Sequence, residues 1–173
     1  MENRNTTLFF LISLLFFSCG KGGMKKIVIT ETMPERIVKN FSIDKYISGD
    51  KIWQFTASRA DIYDKRNTVY AIGVDMLYYE SSVPGTAITA SSAVININTG
   101  DVSAFGNVVI NSLSGNTTLY TEAINYDGKT KKIISDSFVR HERSDATITG
   151  QGMTASGDLS EVIIQKDVRV IKK

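Results

Sequence analysis

The sequence predicts an all-β fold, a sandwich or jelly roll assembled from repeated two-stranded units. Three observations carry this prediction. Turn signals rich in Gly, Asn, Asp and Ser recur about every 13 to 18 residues beyond residue 40. The stretches between them are β-branched and aromatic, such as Ile52–Phe55, Val94–Ile97, Val108–Ile110 and Val162–Ile164. Residue types also return with a thirty-residue period, the mark of a stacked repeat. Helix caps followed by a 3.6-residue apolar pattern are missing.

The N-terminus reads as an address. Residues 8–17, LFFLISLLFF, are apolar apart from Ser13. A spanning helix needs about 20 apolar residues, so the run fits the apolar centre of a secretory signal over residues 1–18. Met1–Thr7 is its polar lead, with Arg4 the one basic side chain. Phe16-Phe17-Ser18-Cys19-Gly20 then resembles a bacterial lipobox, a small residue directly before the chain's only cysteine. It departs from the usual pattern at Phe16 and Phe17. The functional reading is cleavage before Cys19 and diacylation of its thiol; the alternative is a plain signal with an incidental cysteine. A lone thiol has no evident use in an oxidising compartment, and two acyl chains anchor firmly where one is marginal. Residues 19–40 are then anchor and tether, with Gly20-Lys21-Gly22-Gly23 flexible, and residues 41–173 form the β domain.

Within that domain the turns fall at Ser48-Gly49-Asp50, Asp64–Asn67, Val83-Pro84-Gly85, Asn98-Thr99-Gly100, Ser114-Gly115-Asn116, Asp127-Gly128, Arg143-Ser144-Asp145 and Ser156-Gly157-Asp158. Gly, Asn and Asp tolerate left-handed backbone, which gives these turns a mechanism. Ala93, Ala123 and Met153 lie 30 apart, as do Val108, Phe138 and Val168. The units read as Thr89–Ile97 with Val102–Asn111, Thr121–Tyr126 with Ile133–Arg140, and Thr149–Ala155 with Glu161–Ile171. An earlier copy, Thr56-Ala57-Ser58-Arg59-Ala60, matches Thr89-Ala90-Ser91-Ser92-Ala93. A two-stranded unit cannot bury an apolar face alone, so the units must stack.

Composition excludes several functions. Twenty Lys+Arg against 18 Asp+Glu give a net charge of +2, too balanced for a nucleic-acid binder that works by displacing counterions. One Cys and one His leave neither a disulfide nor a four-ligand zinc site within the chain. Nucleophile elbows, Walker loops and His-Glu-x-x-His are missing. A strand pattern follows Gly150-Gln151-Gly152, where a dinucleotide site needs a helix. His141, in the charged run Arg140–Asp145, reads as a solvated loop histidine, and the carboxylates near turns (Asp61 with Asp64, Glu122 with Asp127) read as solvated. No catalytic residue, cofactor or metal is expected.

Apolar surface remains. Trp53, Phe55, Ile62, Ile88, Ile95, Ile97, Phe105, Val108, Ile110, Leu119, Tyr126 and Phe138 are the candidates for an inner strip. They are either simple core or, between splayed sheets, the lining of a groove for an apolar ligand.

The C-terminal residues Gly152–Leu159, followed by a strand and Lys166-Asp167-Val168-Arg169-Val170, resemble the LptC family. LptC is the periplasmic component of the lipopolysaccharide-export ABC transporter. The upstream Thr-Ala-x-x-Ala units, and Gly106-Asn107-Val108, resemble OstA-like β-jelly-roll repeats. The resemblance spans about residues 45–171. It implies an open β-jelly roll that is not an enzyme and carries acyl chains of lipopolysaccharide, or a related lipid, in its groove. Implied partners are the inner-membrane transporter and an LptA-like bridge protein. It also implies that the last strand, with Val162, Ile164, Val168 and Val170, is the edge on which that bridge docks by β-augmentation. Family members carry a transmembrane helix where this chain has Cys19. The expected location is the periplasm, lipid-anchored, with the inner membrane favoured by the role and the outer membrane the alternative. A structural lipoprotein using its β-stack only for protein contacts is the rival reading.

Overall fold

Short turns dictate the topology. A connection of a few residues cannot cross a sheet, so each strand must return antiparallel beside the one before it. The computed structural model describes residues 33–173. The expected signal segment, Cys19 and the expected tether up to residue 32 lie outside the described residues. Nine strands follow one another: β1 (Arg36–Ile47), β2 (Asp50–Tyr63), β3 (Thr68–Glu80), β4 (Val83–Asn96), β5 (Val102–Ser112), β6 (Thr117–Tyr126), β7 (Lys132–Glu142), β8 (Ala146–Ser156) and β9 (Val162–Lys172). They form one antiparallel sheet in sequence order. β1 starts at Arg36, ahead of the expected domain start at residue 41.

Most turns fall where Gly, Asn and Asp predict them. The exception is the β3–β4 turn. It is made by Ser81 and Ser82, with φ of 50° and 64°, as a two-residue hairpin turn requires. Val83-Pro84-Gly85, expected as the turn, instead opens β4. A proline at the start of a strand costs no ladder hydrogen bond. Between β2 and β3, a single 3-10 turn (Asp64–Arg66) closes on Asn67 at φ 51°, and Arg36 donates to Asp64 to hold β1 against it.

A single sheet with a buried face must supply its own cover. Midway along the strands the inner-face alternation breaks. Ala57 and Ala60, Ala71 and Val74, and Ala90 and Ala93 are all buried, yet each pair is an odd three residues apart. A regular strand would turn one of each pair outward. Positive φ at Asn40, Gly73, Gly106, Asn107, Gly152 and Asp167 marks the same zone. On three alternate strands one extra residue is inserted there. β5 is shifted between Phe105 and Val108, β7 between Ser135 and Phe138, and β9 opposite Thr149–Gln151. Bulges bend a strand and increase its twist. Aligned across the sheet, they form a crease along which its two halves fold together.

Small residues line the crease because the halves approach closely there. One row runs Ala60–Ala71–Ala93–Ala104–Ile124, each facing the next. The other contains Ala57–Val74–Ala90 and Val108–Thr121–Val139–Gly150. Glycine is required where strands meet side chains: a Cβ on Gly106 would lie 2.8 Å from Ser91 Cβ, and one on Gly73 2.8 Å from Ser58 Oγ. The same Ser–Gly pairing thus recurs in successive units.

Gly106→Ala is expected to destabilise the fold by about 1–2 kcal/mol for left-handed backbone alone, plus the collision with Ser91. Adding Ser91→Gly should recover the collision and leave the backbone part. Urea unfolding of the single and double variants measures both; a neutral Gly106→Ala would show that sterics do not fix the crease.

Candidate functional site

Two apolar ladders flank the crease on the inner face. The first runs Ile43–Phe55–Met76–Ile88–Ile110–Leu119–His141–Ile148–Val170, one residue from each of the nine strands, each facing the next. The second runs Ile62–Val69–Ile95–Val102–Tyr126–Ile133–Ala155–Val162 from β2 to β9. At roughly 4.8 Å per strand, the ladders run along the long axis of the sheet, across all its hairpins.

Burial varies along the first ladder. Ile110 and Leu119 at its middle have no exposure, while Ile43 and Val170 at its ends are 50% and 57% exposed. The strip is therefore a packed core in the centre that opens at both ends. β1 bonds only to β2 and β9 only to β8, so the same two ends carry unpaired backbone edges.

The interior opens at a cleft of about 500 Å³. Tyr78 and Ile88 from β3 and β4 face Tyr126, Ile133 and Ala155 from β6 to β8 across it. Four strands lie between β3 and β8 in the sheet, so a shared cleft requires the sheet to curl over. Burial pushes the Tyr78 phenol well above the ordinary tyrosine range, and neighbouring Tyr126 adds to the shift. The rim is mixed in charge, with Glu80, Asp158 and Glu161 beside Lys131 and Lys132. Lys131 also stands 5.9 Å over the Tyr126 ring.

These features have matches among known proteins. A family model described as lipopolysaccharide-assembly, LptC-related, matches residues 6–172. The chain belongs to this LptC-related family. Its fold matches the crystal structure of LptH from Pseudomonas aeruginosa, described as the LptA-homologous periplasmic component of the conserved lipopolysaccharide transport device. The TM-score is 0.56 at 12% identity, over 69% of this chain and 93% of that one. No curated protein matches the chain. The fold is thus an open β-jelly roll, and membership in the LptC-related family makes the chain a lipopolysaccharide-assembly protein rather than an enzyme.

Nine of the twelve expected strip residues face inward in this LptC-related domain. Trp53, Phe55, Ile88, Ile95, Val108, Ile110, Leu119 and Tyr126 are buried or packed against the core, and Ile62 is half-buried opposite Val69 in the second ladder. Only Ile88 and Tyr126 among them line the cleft. Three placements are corrected. Phe138 is 58% exposed on the outer face, because Val139 and not Phe138 is the residue in register with Thr121 and Val108. A true spacing of 31 there replaces the apparent 30, and one residue exchanges the faces of a strand. Phe105 is 43% exposed, since the inner position beside it must be the small Ala104 of the crease. Ile97 is 53% exposed in the turn after β4, its N–H bonded to Asn67 O at 2.8 Å.

On β9, Val162, Ile164 and Val170 lie opposite the inner-facing Ala155, Met153 and Ile148. Val168 reaches the strip at Gly150, whose added Cβ would lie 3.5 Å from its Cα. The four edge candidates thus continue the strip to its open end. Sequence reading missed Tyr78, Met76, Ile133 and Met153. Ile133 was signalled by its alternation with buried Ser135.

His141 is also corrected. It is not a loop histidine but an inner-ladder residue of β7, 5% exposed between Leu119 and Ile148. Its charged neighbours obscured this because they face the other way: Arg140 and Glu142 pair at 2.7 Å on the outer face, with Arg140 over the Tyr120 ring at 4.1 Å. The suspected carboxylate pairs are ordinary structural groups. Asp61 pairs with Arg59, and Asp127 accepts the N–H groups of Lys129 and Thr130, closing its turn and holding its carboxyl below the usual range. Among the described residues no three His, Cys, Asp or Glu are grouped as metal ligands.

Burial, and secondarily Arg143, hold the His141 imidazole below its ordinary pKa of 6.5. The unfolded chain then binds more protons than the folded one in the range below 6.5, so stability should be complete above that pH and fall as the medium is acidified through it. His141→Leu should remove this part of the slope in denaturation measured from pH 7.5 to 5; an unchanged slope would place its origin elsewhere.

Proposed function

We propose that the chain carries lipopolysaccharide, or a closely related lipid, along its inner strip, from the inner-membrane export transporter toward an LptA-like bridge protein. The observation that supports this best is the nine-residue ladder from Ile43 to Val170, apolar except for His141, buried at its middle and exposed at both ends. Apolar burial is worth about 25 cal/mol per Å², so acyl chains bind without a charge pair, and the exposed ends allow a neighbouring domain to continue the strip. β9 offers the docking edge: it has no proline, and Lys166, Arg169, Lys172 and Lys173 give it positive charge. A partner strand adds there by β-augmentation, while β1 leaves the opposite edge for the transporter side. Cys19 is the proposed lipid anchor, and the role favours the inner membrane.

One observation favours the rival, a structural lipoprotein that uses the sheet only for protein contacts: Ile110, Leu119 and Met153 already fill the centre of the strip. Photo-crosslinking in cells separates the two. A probe at Ile88 or Tyr126 should capture lipopolysaccharide, a probe at outward-facing Phe138 should not, and a probe at Val168 should capture the bridge protein. Capture of protein alone at every position would leave the structural reading. Separately, labelled fatty acid should appear on the wild-type chain and vanish in Cys19→Ser; a chain that never takes the label has no such anchor.

A further inference from the structure

A buried polar row runs beside the first apolar ladder. Tyr78 faces Thr86, Thr86 faces Ser112, and Ser112 faces Thr117. The row begins at the cleft, which Tyr78 and Thr86 line, and passes inward through Thr86 and Ser112, 3% and 2% exposed. It ends beside His141, which faces Leu119 and so lies diagonally across from Thr117. Ser112 Oγ accepts the Gly115 N–H at 3.2 Å. Thr117 Oγ1 and His141 Nε2 are fully buried and bond to nothing in the protein.

Such orphans are rare, because a buried polar atom without a partner loses its hydration and gains nothing in return. Val and Leu would fill the same places without that loss. Two orphans as diagonal neighbours are more informative than one. Diagonal positions on facing strands are about 7–8 Å apart at the backbone, a separation that one oxygen atom between the side chains can bridge. No charged side chain belongs to the row; Arg143, which acts on His141 from outside it, is exposed and already paired with Asp145 at 3.2 Å, and burial holds the imidazole below its ordinary pKa. A phosphate or carboxylate would find no counter-charge within it. A neutral oxygen would find a hydroxyl and an imidazole nitrogen, between them able both to donate and to accept.

We propose that Thr117 and His141 form a subsite for one neutral oxygen, a hydroxyl or carbonyl, carried partway along an otherwise apolar chain. The chain itself lies on the adjoining Ile88–Ile110–Leu119 ladder, entering from the cleft as the half-sheets part at the crease. This rests on the lipid-carrying reading above and narrows it: the preferred cargo bears a polar group on its acyl portion, placed at a fixed distance from the end that enters.

Trp53, the only tryptophan, faces Tyr78 at the head of the row and reports binding by its fluorescence. The full-length chain is titrated with tetradecanoate and with hydroxytetradecanoates whose hydroxyl is moved carbon by carbon. One or two isomers should bind about fivefold tighter than the plain acid, the value of one hydrogen bond. Thr117→Val with His141→Leu should erase that preference. In the wild-type chain, the imidazole Nε2 resonance should move with the preferred isomer and stay fixed with the plain acid. Equal binding of all isomers, a preference that survives the double variant, or a static Nε2 resonance overturns the subsite and leaves the lipid-carrying reading standing. Failure of tetradecanoate itself to bind overturns both.

Discussion

Folding one sheet over on itself imposes a parity problem on every strand. In the half on one side of the fold line the inner residues are Phe55 and Ala57, and in the other half they are Ala60 and Ile62. An unbroken strand alternates with period two and would send one of these halves outward. The break therefore has to occur in each strand, at the same height, or the apolar ladders lose their alignment. It also has to occur where side chains are smallest, since the two halves meet there. Ala60, Ala71, Ala93 and Ala104, all at most 3% exposed, satisfy the second requirement. Gly73, Gly106 and Gly152 satisfy the first with positive φ. The thirty-residue repeat follows from the same constraint. It returns the crease to the same height each time the chain completes a hairpin, with units of 31 and 29 residues between Val108, Val139 and Val168.

The folded sheet also determines which surfaces remain for other molecules. Its outer face is broken by charged pairs such as Arg59–Asp61 and Arg140–Glu142, which discourage stacking against another sheet. The edges are left open. Twelve residues of β1 and eleven of β9 have a partner strand on one side only. Lysines and the bulge at Asp167 blunt β9 against indiscriminate pairing, but the alternation of Val168 and Val170 toward the strip is retained. An edge that is guarded against aggregation yet continues the interior suits a specific, aligned neighbour.

Much of this was legible before the structure. Seven of eight expected turns sit between strands, because Gly, Asn and Asp report left-handed backbone directly. The ninth strand and its free edge followed from chain order. What sequence could not give was registry across the crease. Phe138 and Val108 are equally spaced in the repeat but lie on opposite faces, because the extra residue in β7 is invisible to a fixed period. Phe105 was chosen for its ring, although the inner place next to it admits only Ala104. His141 was judged by its charged neighbours when alternation was the stronger signal. The cleft depends on Tyr78 and Ala155 lining one space although their strands never pair, and no local pattern announces it. Its partial agreement with the expected strip, through Ile88 and Tyr126, did not come from foreseeing the curl, and Ile88 lies just ahead of the strand expected from Thr89, within the longer β4.

A ladder perpendicular to its strands has an energetic property that a pocket lacks. Each step from one hairpin to the next replaces one aliphatic or aromatic contact by another, Ile88 by Ile110 and Ile110 by Leu119. The apolar area covered by a bound chain changes little with position, so at about 25 cal/mol per Å² the free energy along the strip is nearly level. Level profiles permit movement but provide no stopping point and no direction. Polar groups in the lining supply both, since a hydrogen bond is satisfied only in one register. In this chain they run from Tyr78 on β3 to His141 on β7, two strands short of the β9 edge. If the strip carries lipid as proposed, cargo that seats a polar group there would be held short of the exposed Val168 and Val170, within reach of a docked neighbour. On that proposal, binding in the interior and release at the edge would be set by two different chemistries, a directional hydrogen bond and undirected apolar burial.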